Sequence, residues 1–517
     1  MINPILAPNV TDGYKLDHIS QYIKGTEMVY SNMTPRDNKL ARVLREHFDG
    51  KVVWFGAQFA IKYMIAMWDS TFFSQPKAKV LKKYARRIKN YVGTDKGDAQ
   101  IEAMSKLHDL GYLPLRIKTL PEGTRVNMQV PALTVQSTHK DFFWLANYKE
   151  TFLSCMIWPL CNSASLSDQY FQTSKRWAAK TGASEIWLGV ANHCFAARGH
   201  RGMEDAMISG MGQLLSSYGT DTVWAIDGLE EYYNADSDKE LIGCSVNATE
   251  HATATQRIAY YRDVLGHKEY GQAEVESVRN LLTAAYPRGI LSYVSDSEDY
   301  FWFIEKGLPL LKDDILAREE DVLGLCKFVV RPDSSPKTPL EVIVGDKEAK
   351  PGTAEHKGTL EILWEIFGGT INNGYKVLNP KIGVIYGEAI TLELQDKIYE
   401  TMAANGWCVS NVLFGEGSWG FLENSSRDSY GFAIKGTHSV VDGKEISMQK
   451  SPKTAKSLKK SAKGLLRVDL VDGEYVLKQE CTPEEAEGGE LREVFLNGKM
   501  TYETTLAEVR KNLGNIA

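Results

Sequence analysis

Cysteine is sparse and unpaired here: Cys155, Cys161, Cys194, Cys244, Cys326, Cys408 and Cys481 are scattered over 517 residues with no C-x-x-C pair. An odd, dispersed set argues against a disulfide framework and against a zinc site. Long hydrophobic runs are also missing. No stretch of 18 or more apolar residues occurs, which argues against a membrane span. Residues 1–15 carry neither the basic nor the apolar region of a secretory leader, so a cytoplasmic protein is expected. Charge of one sign is lacking as well. The balance of 60 Lys and Arg against 66 Asp and Glu, net −6, gives no general attraction to nucleic acid or an anionic membrane. No internal repeat of fixed period is visible. The content of 43% hydrophobic and 24% charged residues is that of a globular protein, and the length suits two domains or a large barrel with additions.

What is present is a change of rhythm along the chain. Residues 1–150 mix a helical apolar spacing at 54–67 with short strands at 113–117, 125–129 and 133–136, separated by Pro-Glu-Gly and Pro-Ala turns, and predict an α+β part of a flanking domain. Residues 151–430 follow a helical stretch at 142–158 and bring a series of short apolar runs that each stop at a polar or small cluster. These runs are 186–190, 222–226, 242–246, 290–294, 328–330, 382–386 and 412–414. Helix-like segments at 204–218, 253–265, 274–285 and 360–367 lie between them. The alternation predicts an α/β fold with a parallel sheet, either a (β/α) barrel or a doubly wound sheet. In a barrel the polar clusters converge on one mouth, making neighbours of His251, Asp296, Arg331, Asp333 and Glu388. Residues 431–517 read as β-rich and pack with the N-terminal strands. A lysine-rich segment at 444–463 is expected to be a mobile, solvated loop, followed by hairpin signals at Asp472-Gly473 and Asn497-Gly498.

Several constellations could carry chemistry. Phe328-Val329-Val330 runs straight into Arg331-Pro332-Asp333, placing a guanidinium fork and a carboxylate at the carboxyl end of a buried strand. That pair suits phosphate and sugar hydroxyls, or else forms a salt-bridged loop. Gly415-Glu416-Gly417-Ser418-Trp419-Gly420 matches G-x-G-x-x-G by letter, with Asp442 as the ribose ligand of a dinucleotide site. The polar, turn-rich continuation at 423–428 argues against the long helix that fingerprint needs. A phosphate loop held by backbone N–H groups, with Arg427 adding a charge-assisted contact, fits better. His251 stands at a helix start, either as a capping-turn histidine or in a chemical role. Phe195 and Arg198 follow one strand, as core and surface residues unless both face the mouth. Asp221 precedes the strand expected at 222–226 and reads as a turn residue. Tyr14 and Arg36 read as surface-loop residues.

Taken together, the blocks FVVRPDS (328–334), HCFAARG (193–199), YGTDTV (218–223), TEHAT (249–253) and YVSDS (293–297), with TDGYK near the start and FLNGKMTYETTLAEVRKN near the end, resemble the nicotinamide phosphoribosyltransferase family. The resemblance implies the irregular α/β barrel of the type II phosphoribosyltransferases, with a second domain built from both chain ends, working as a homodimer with shared sites. It implies condensation of nicotinamide with 5-phosphoribosyl-1-diphosphate to nicotinamide mononucleotide for NAD synthesis. By this likeness the base lies between Phe195 and Tyr14 of a partner subunit, Asp221 accepts from the carboxamide, and Arg198, His251 and Arg331 contact the diphosphate. Asp333 and Asp296 stand near the ribose, Gly387 and Glu388 near its hydroxyls, and Glu388 replaces the family's aspartate. Arg36, Lys435, Lys450 and Lys459 match phosphate-holding residues, beside Gly417, Ser418, Gly420 and Arg427. Mg2+ is implied on the diphosphate, and ATP as an optional substrate that phosphorylates His251. Rival readings are a nicotinate phosphoribosyltransferase of the same fold, a catalytically silent relative, and, more distantly, an NAD-dependent dehydrogenase.

Overall fold

The computed structural model describes residues 5–334, 337–423, 425–452 and 460–516. Its contacts divide the chain into two compact units, one of Met1–Ser165, Asp227–Glu240 and Asn424–Ala517, the other of Leu166–Ile226 and Leu241–Glu423. Among the described residues no helix is long and apolar enough to cross a membrane.

The first unit is built on a seven-stranded antiparallel sheet in the order Lys444–Ser447, Ala433–Val441, Thr26–Thr34, Leu133–Ser137, Leu115–Thr119, Arg492–Leu496, Lys499–Met500. N-terminal strands fill the centre and C-terminal strands form both edges, so neither chain end makes this sheet alone. The helix Ala57–Trp68 buries Phe59, Ile61 and Met64. Its amino end is held by Glu122, whose carboxylate accepts from the N–H groups of Gly56 and Gln58 at 2.6 Å each and from the Tyr233 hydroxyl at 2.8 Å. Both expected hairpins form. Asp472 (φ 51°) with Gly473 (φ 80°), and Asn497 (φ 48°) with Gly498 (φ 86°), take the left-handed conformations that two-residue hairpin turns require. The lysine-rich segment is partly regular: Lys444–Ser447 pairs as an edge strand, while Lys453, Lys456 and Lys459 lie outside the described residues.

The second unit is an irregular (β/α) barrel. Its strands are β1 (Asn192–Cys194), β2 (Gly219–Thr220), β3 (Asn247–Ala248), β4 (Gly289–Val294), β5 (Cys326–Arg331), β6 (Ile382–Tyr386) and β7 (Val412–Glu416). Every pairing is parallel, and β7 pairs back onto β1. The seam is thin: β2 meets the segment leading into β3 through one bridge, Gly219 to Cys244. β4 to β7 fall where the apolar runs predict them, and Phe328, Val330, Ile382, Val384 and Phe414 are fully buried, as expected of strands covered on both faces.

The earlier runs fall differently. Residues 186–190 were expected as a strand, but Ser184 caps a short helix, Glu185–Leu188, and the strand comes later, at β1. Residues 222–226 open the helix Val223–Tyr233, whose buried Ala225 and Leu229 and exposed Val223 follow a helical period. The strand is β2, just before. Asp221 therefore stands at the carboxyl end of a strand rather than in a turn before one. Residues 242–246 contribute only the Cys244 bridge ahead of β3.

Candidate active site

The carboxyl ends of all seven barrel strands carry the polar clusters, so residues far apart in sequence meet at one mouth. Asp221 follows β2, its N–H bonded to the Cys194 carbonyl at 2.9 Å. Its Oδ1 is engaged twice, by His193 Nε2 and by the Ser245 hydroxyl, each at 2.9 Å. Oδ2 has no partner among the described residues. Burial alone would raise this carboxyl, but the hydrogen bond and charge of His193, the Ser245 hydroxyl and the Arg331 guanidinium outweigh it and hold Asp221 below the usual carboxylate range. His193 is tightly seated: a Cβ on Gly219 would stand 2.8 Å from its ring.

Phe195 follows β1, its ring 4.8 Å from that of His193, and its N–H donates to the Glu416 carbonyl at 2.9 Å. Two glycines make room for the ring. A Cβ on Gly415 would come within 2.2 Å of it, and one on Gly387 within 3.0 Å. The loop continues to exposed Arg198, which has no hydrogen-bond or ion-pair partner among the described residues, and to Gly199, packed so closely on Ser418 that a Cβ would lie 1.9 Å from its hydroxyl. Ser418 begins a five-residue helix, Ser418–Leu422, that includes Gly420. A dinucleotide fingerprint needs a long helix there, and Asp442 instead occupies a hairpin turn of the first unit at φ 49°, so the Rossmann alternative is excluded.

Across the mouth, His251 starts the helix His251–Asp263, and the Glu250 side chain forms the capping box there. His251 Nε2 meets Asp296 Oδ1 at 3.0 Å, and Nδ1 lies 3.8 Å from Asp333 Oδ2. The other Asp296 oxygen accepts from the N–H groups of Asp333 at 3.2 Å and Ser334 at 2.6 Å, and from the Ser334 hydroxyl at 2.5 Å. Asp296, whose side chain is 4% exposed, is thus a hub that ties the histidine to the loop after β5. Arg331 donates through one terminal nitrogen to the Thr249 carbonyl, while its buried Nε has no partner among the described residues, leaving a donor for an anionic ligand. Glu388 is exposed beside Ala389, which is held at φ 54°. Among the described residues no group of three or more His, Cys, Asp or Glu is arranged to hold a metal ion.

The first unit carries a cluster of its own. Tyr14 is 67% exposed and donates to Asp12 Oδ2 at 3.2 Å, with the Arg427 charge near enough to act on it. Arg36 is fixed by its Nε to the Gly431 carbonyl at 2.7 Å. Burial pushes the Lys435 amine down, and the positive charges of Lys450, Arg36 and Lys15 act with it against Glu150. Arg36, Lys435 and Lys450 therefore form one basic cluster suited to a phosphate. Lys459 lies outside the described residues.

Pattern reasoning missed His193 and Ser245 as site residues. His193 was visible as the i−2 neighbour of Phe195, on the same face of a strand end. Ser245 gave no signal, because it follows a lone bridge rather than a strand.

The sequence profile of the nicotinate phosphoribosyltransferase (NAPRTase) family matches residues 190–499. Over 514 residues the chain is 43% identical to the nicotinamide phosphoribosyltransferase of Acinetobacter baylyi (strain ATCC 33305 / BD413 / ADP1), spanning 99% of this chain and 97% of that one. It is 31% identical over 511 residues to the nicotinamide phosphoribosyltransferase of Xanthomonas campestris pv. campestris (strain 8004), spanning 97% and 96%. In fold it is similar to the nicotinate-nucleotide pyrophosphorylase from Pyrococcus furiosus (TM-score 0.54, 14% identity, 98% of this chain and 94% of that one). It is equally similar to human nicotinic acid phosphoribosyltransferase (TM-score 0.54, 13% identity, 98% and 92%). With sequence matched along its length and a barrel of the same kind, the chain belongs to the nicotinate phosphoribosyltransferase (NAPRTase) family.

Proposed function

We propose that this protein is a cytoplasmic nicotinamide phosphoribosyltransferase, joining nicotinamide to C1 of 5-phosphoribosyl-1-diphosphate to give nicotinamide mononucleotide and diphosphate for NAD biosynthesis. The observation that carries the choice of base is Asp221. Ionised in the neutral range, with Oδ1 occupied and Oδ2 unpartnered among the described residues, it can accept from a carboxamide N–H but repels the carboxylate of nicotinate. That disfavours the nicotinate alternative. The relatives named above for nicotinamide support the same choice.

In this mechanism the pyridine ring stacks on Phe195, and Tyr14 of a partner subunit closes its other face in a homodimer. The exposure of Tyr14 supports that part of the proposal. The ring nitrogen attacks C1, its N–C bond forming as the C–O bond to diphosphate breaks. It carries no proton, so no general base is needed. Asp333 and Asp296 supply negative charge near the oxocarbenium-like ribose, Glu388 and Gly387 face its hydroxyls, and Arg198 and Arg331 draw off charge from the leaving group. The Gly417–Gly420 turn holds phosphate, and so, in the first unit, do Arg427 and the cluster of Arg36, Lys435 and Lys450; Lys459, outside the described residues, is assigned the same role. Mg2+ would supply counter-charge to the diphosphate and be held mainly by its oxygens, with the exposed carboxylates of Asp333 and Glu388 as suitable protein neighbours. Asp296 engages His251 at Nε2, which leaves Nδ1, 3.8 Å from Asp333 Oδ2 and so not hydrogen-bonded to it, as the nitrogen that would take the γ-phosphoryl group of ATP, its N–P bond forming as the bond to the departing ADP breaks. The presence of Asp296, Arg331, Asp333 and His251 in one mouth speaks against a silent relative.

Product analysis with 5-phosphoribosyl-1-diphosphate and each base tests the proposal. Nicotinamide mononucleotide is expected. Turnover with nicotinate alone would reassign the substrate, and turnover with neither would leave the silent-relative alternative.

A further inference from the structure

Glu416, the last residue of β7, takes no part in the mechanism above, yet it is placed where it can control that mechanism. Its neighbours Gly415 and Gly417 belong to the mouth. Gly415 seats the Phe195 ring, Gly417 starts the phosphate turn, and the Glu416 carbonyl accepts the Phe195 N–H at 2.9 Å. Strand alternation turns the Glu416 side chain to the opposite face, with that of Phe414, whose ring lies 5.3 Å from Tyr399. There it is 1% exposed, and beyond the amide of Asn192, which lies close enough to act on it, neither carboxyl oxygen has a hydrogen-bond partner among the described residues.

The polar groups around it are committed to one another. Asn192 on β1 gives its amide to Gln395 at 2.8 Å and accepts from Ser174 at 3.1 Å, and Gln395 donates to Ser174 at 3.0 Å and to Tyr399 at 3.3 Å. Among the described residues no lysine, arginine or histidine belongs to this group. An ionised carboxylate placed there has no counter-charge, so the neutral acid is the form that fits.

We propose that Glu416 is a positioning residue whose neutral carboxyl group holds the end of β7 in place, fixing the Phe195 seat and the Gly417–Ser418 turn, and whose ionisation displaces both. The proposal rests on the phosphoribosyltransferase reaction assigned to this mouth. Burial, partly offset by the nearby Asn192, pushes the Glu416 carboxyl up to about 8. The titratable groups facing it are Cys194 on β1, pushed up by burial to about 11, and Tyr399 on the helix Leu392–Ala404, raised further by burial, so neither titrates with it.

If binding requires the neutral acid, KM for the pyridine base rises about tenfold between pH 7 and pH 9 in the parent enzyme, and stays flat in Glu416→Gln, which cannot ionise. A merely structural residue would change KM equally at all pH values. An alkaline rise of the same size in Glu416→Gln, or a flat parent profile, overturns the proposal. A second readout needs no turnover. A carboxyl raised in the folded state binds its proton more tightly there than in the unfolded chain, so its stabilising contribution is full below its unfolded value and is lost as pH rises toward the folded value. The melting temperature of Glu416→Gln should therefore gain on the parent from pH 5 to pH 8.5, and Glu416→Met should show the same trend if the glutamine variant fails to fold. A constant difference overturns the proposal, and it does so even for a protein that makes no nucleotide. Absence of turnover with a growing difference instead removes the assigned reaction and leaves the titrating carboxyl standing.

Discussion

The seat of the Phe195 ring depends on what two residues do not have. Phe195 can lie across the barrel mouth because Gly415 and Gly387 carry no side chains, and a single methyl group at Gly415 would come within 2.2 Å of the ring. Overpacking of this kind costs about 1–3 kcal/mol, and the strand cannot yield without moving the turn that follows it. Gly415→Ala should raise KM for nicotinamide by roughly tenfold, since about 1.4 kcal/mol corresponds to one decade. An unchanged KM in a folded Gly415→Ala variant would show that the ring is not where the base binds. Asp221 works by a related economy. His193 and Ser245 both use Oδ1, so the carboxylate is oriented and kept ionised while its other oxygen has no partner among the described residues.

At the scale of elements, the helix Ala57–Trp68 starts without a side-chain cap of its own, at Gly56 with φ 108°. Glu122 supplies the cap from a distant part of the sequence, and three donors depend on it. Burial raises this carboxyl against the pull of those donors, so its place is maintained by the hydrogen bonds it accepts. Glu122→Ala should cost about 2–4 kcal/mol, because it leaves two N–H groups and a hydroxyl buried without an acceptor. A calorimetric scan checks this, and an unchanged melting transition would contradict it. Glu122→Gln should retain part of the loss, since its carbonyl can still accept. The same scale explains what was legible in the sequence. β4 to β7 could be read because they are long enough to present buried β-branched runs, and the two hairpins because Asp-Gly and Asn-Gly specify their turns. β1 to β3 are two or three residues each, too short for any period, and the apolar run beginning at Thr222 belongs to a helix. Misplacing that strand gave Asp221 a turn role on spacing alone, and only the resemblance of the surrounding block pointed to its function. That the β-rich C-terminal part joins the N-terminal strands was legible, but the register of those pairings, hundreds of residues apart, is not encoded in local pattern.

At the scale of the molecule, each copy displays an exposed aromatic and a basic cluster on one unit and the barrel mouth on the other. If Tyr14 serves the mouth of a partner subunit, two defective variants should rescue each other. Tyr14→Ala and Phe195→Ala, each nearly inactive, should regain about a quarter of parental activity when dissociated and reassembled in equal amounts, because half of the dimers then contain one intact site of two. No recovery in a mixture shown to exchange subunits would place Tyr14 with its own subunit's mouth. The central claim is that a barrel mouth organised around an ionised, half-engaged aspartate selects nicotinamide for transfer to 5-phosphoribosyl-1-diphosphate. Its most direct test is the ratio of kcat/KM for nicotinamide over nicotinate, measured in the parent and in Asp221→Asn. The parent should favour nicotinamide strongly, and the substitution should shrink that preference by roughly tenfold to a hundredfold, or about 1.4–2.8 kcal/mol. A ratio that is the same in both proteins would contradict the account.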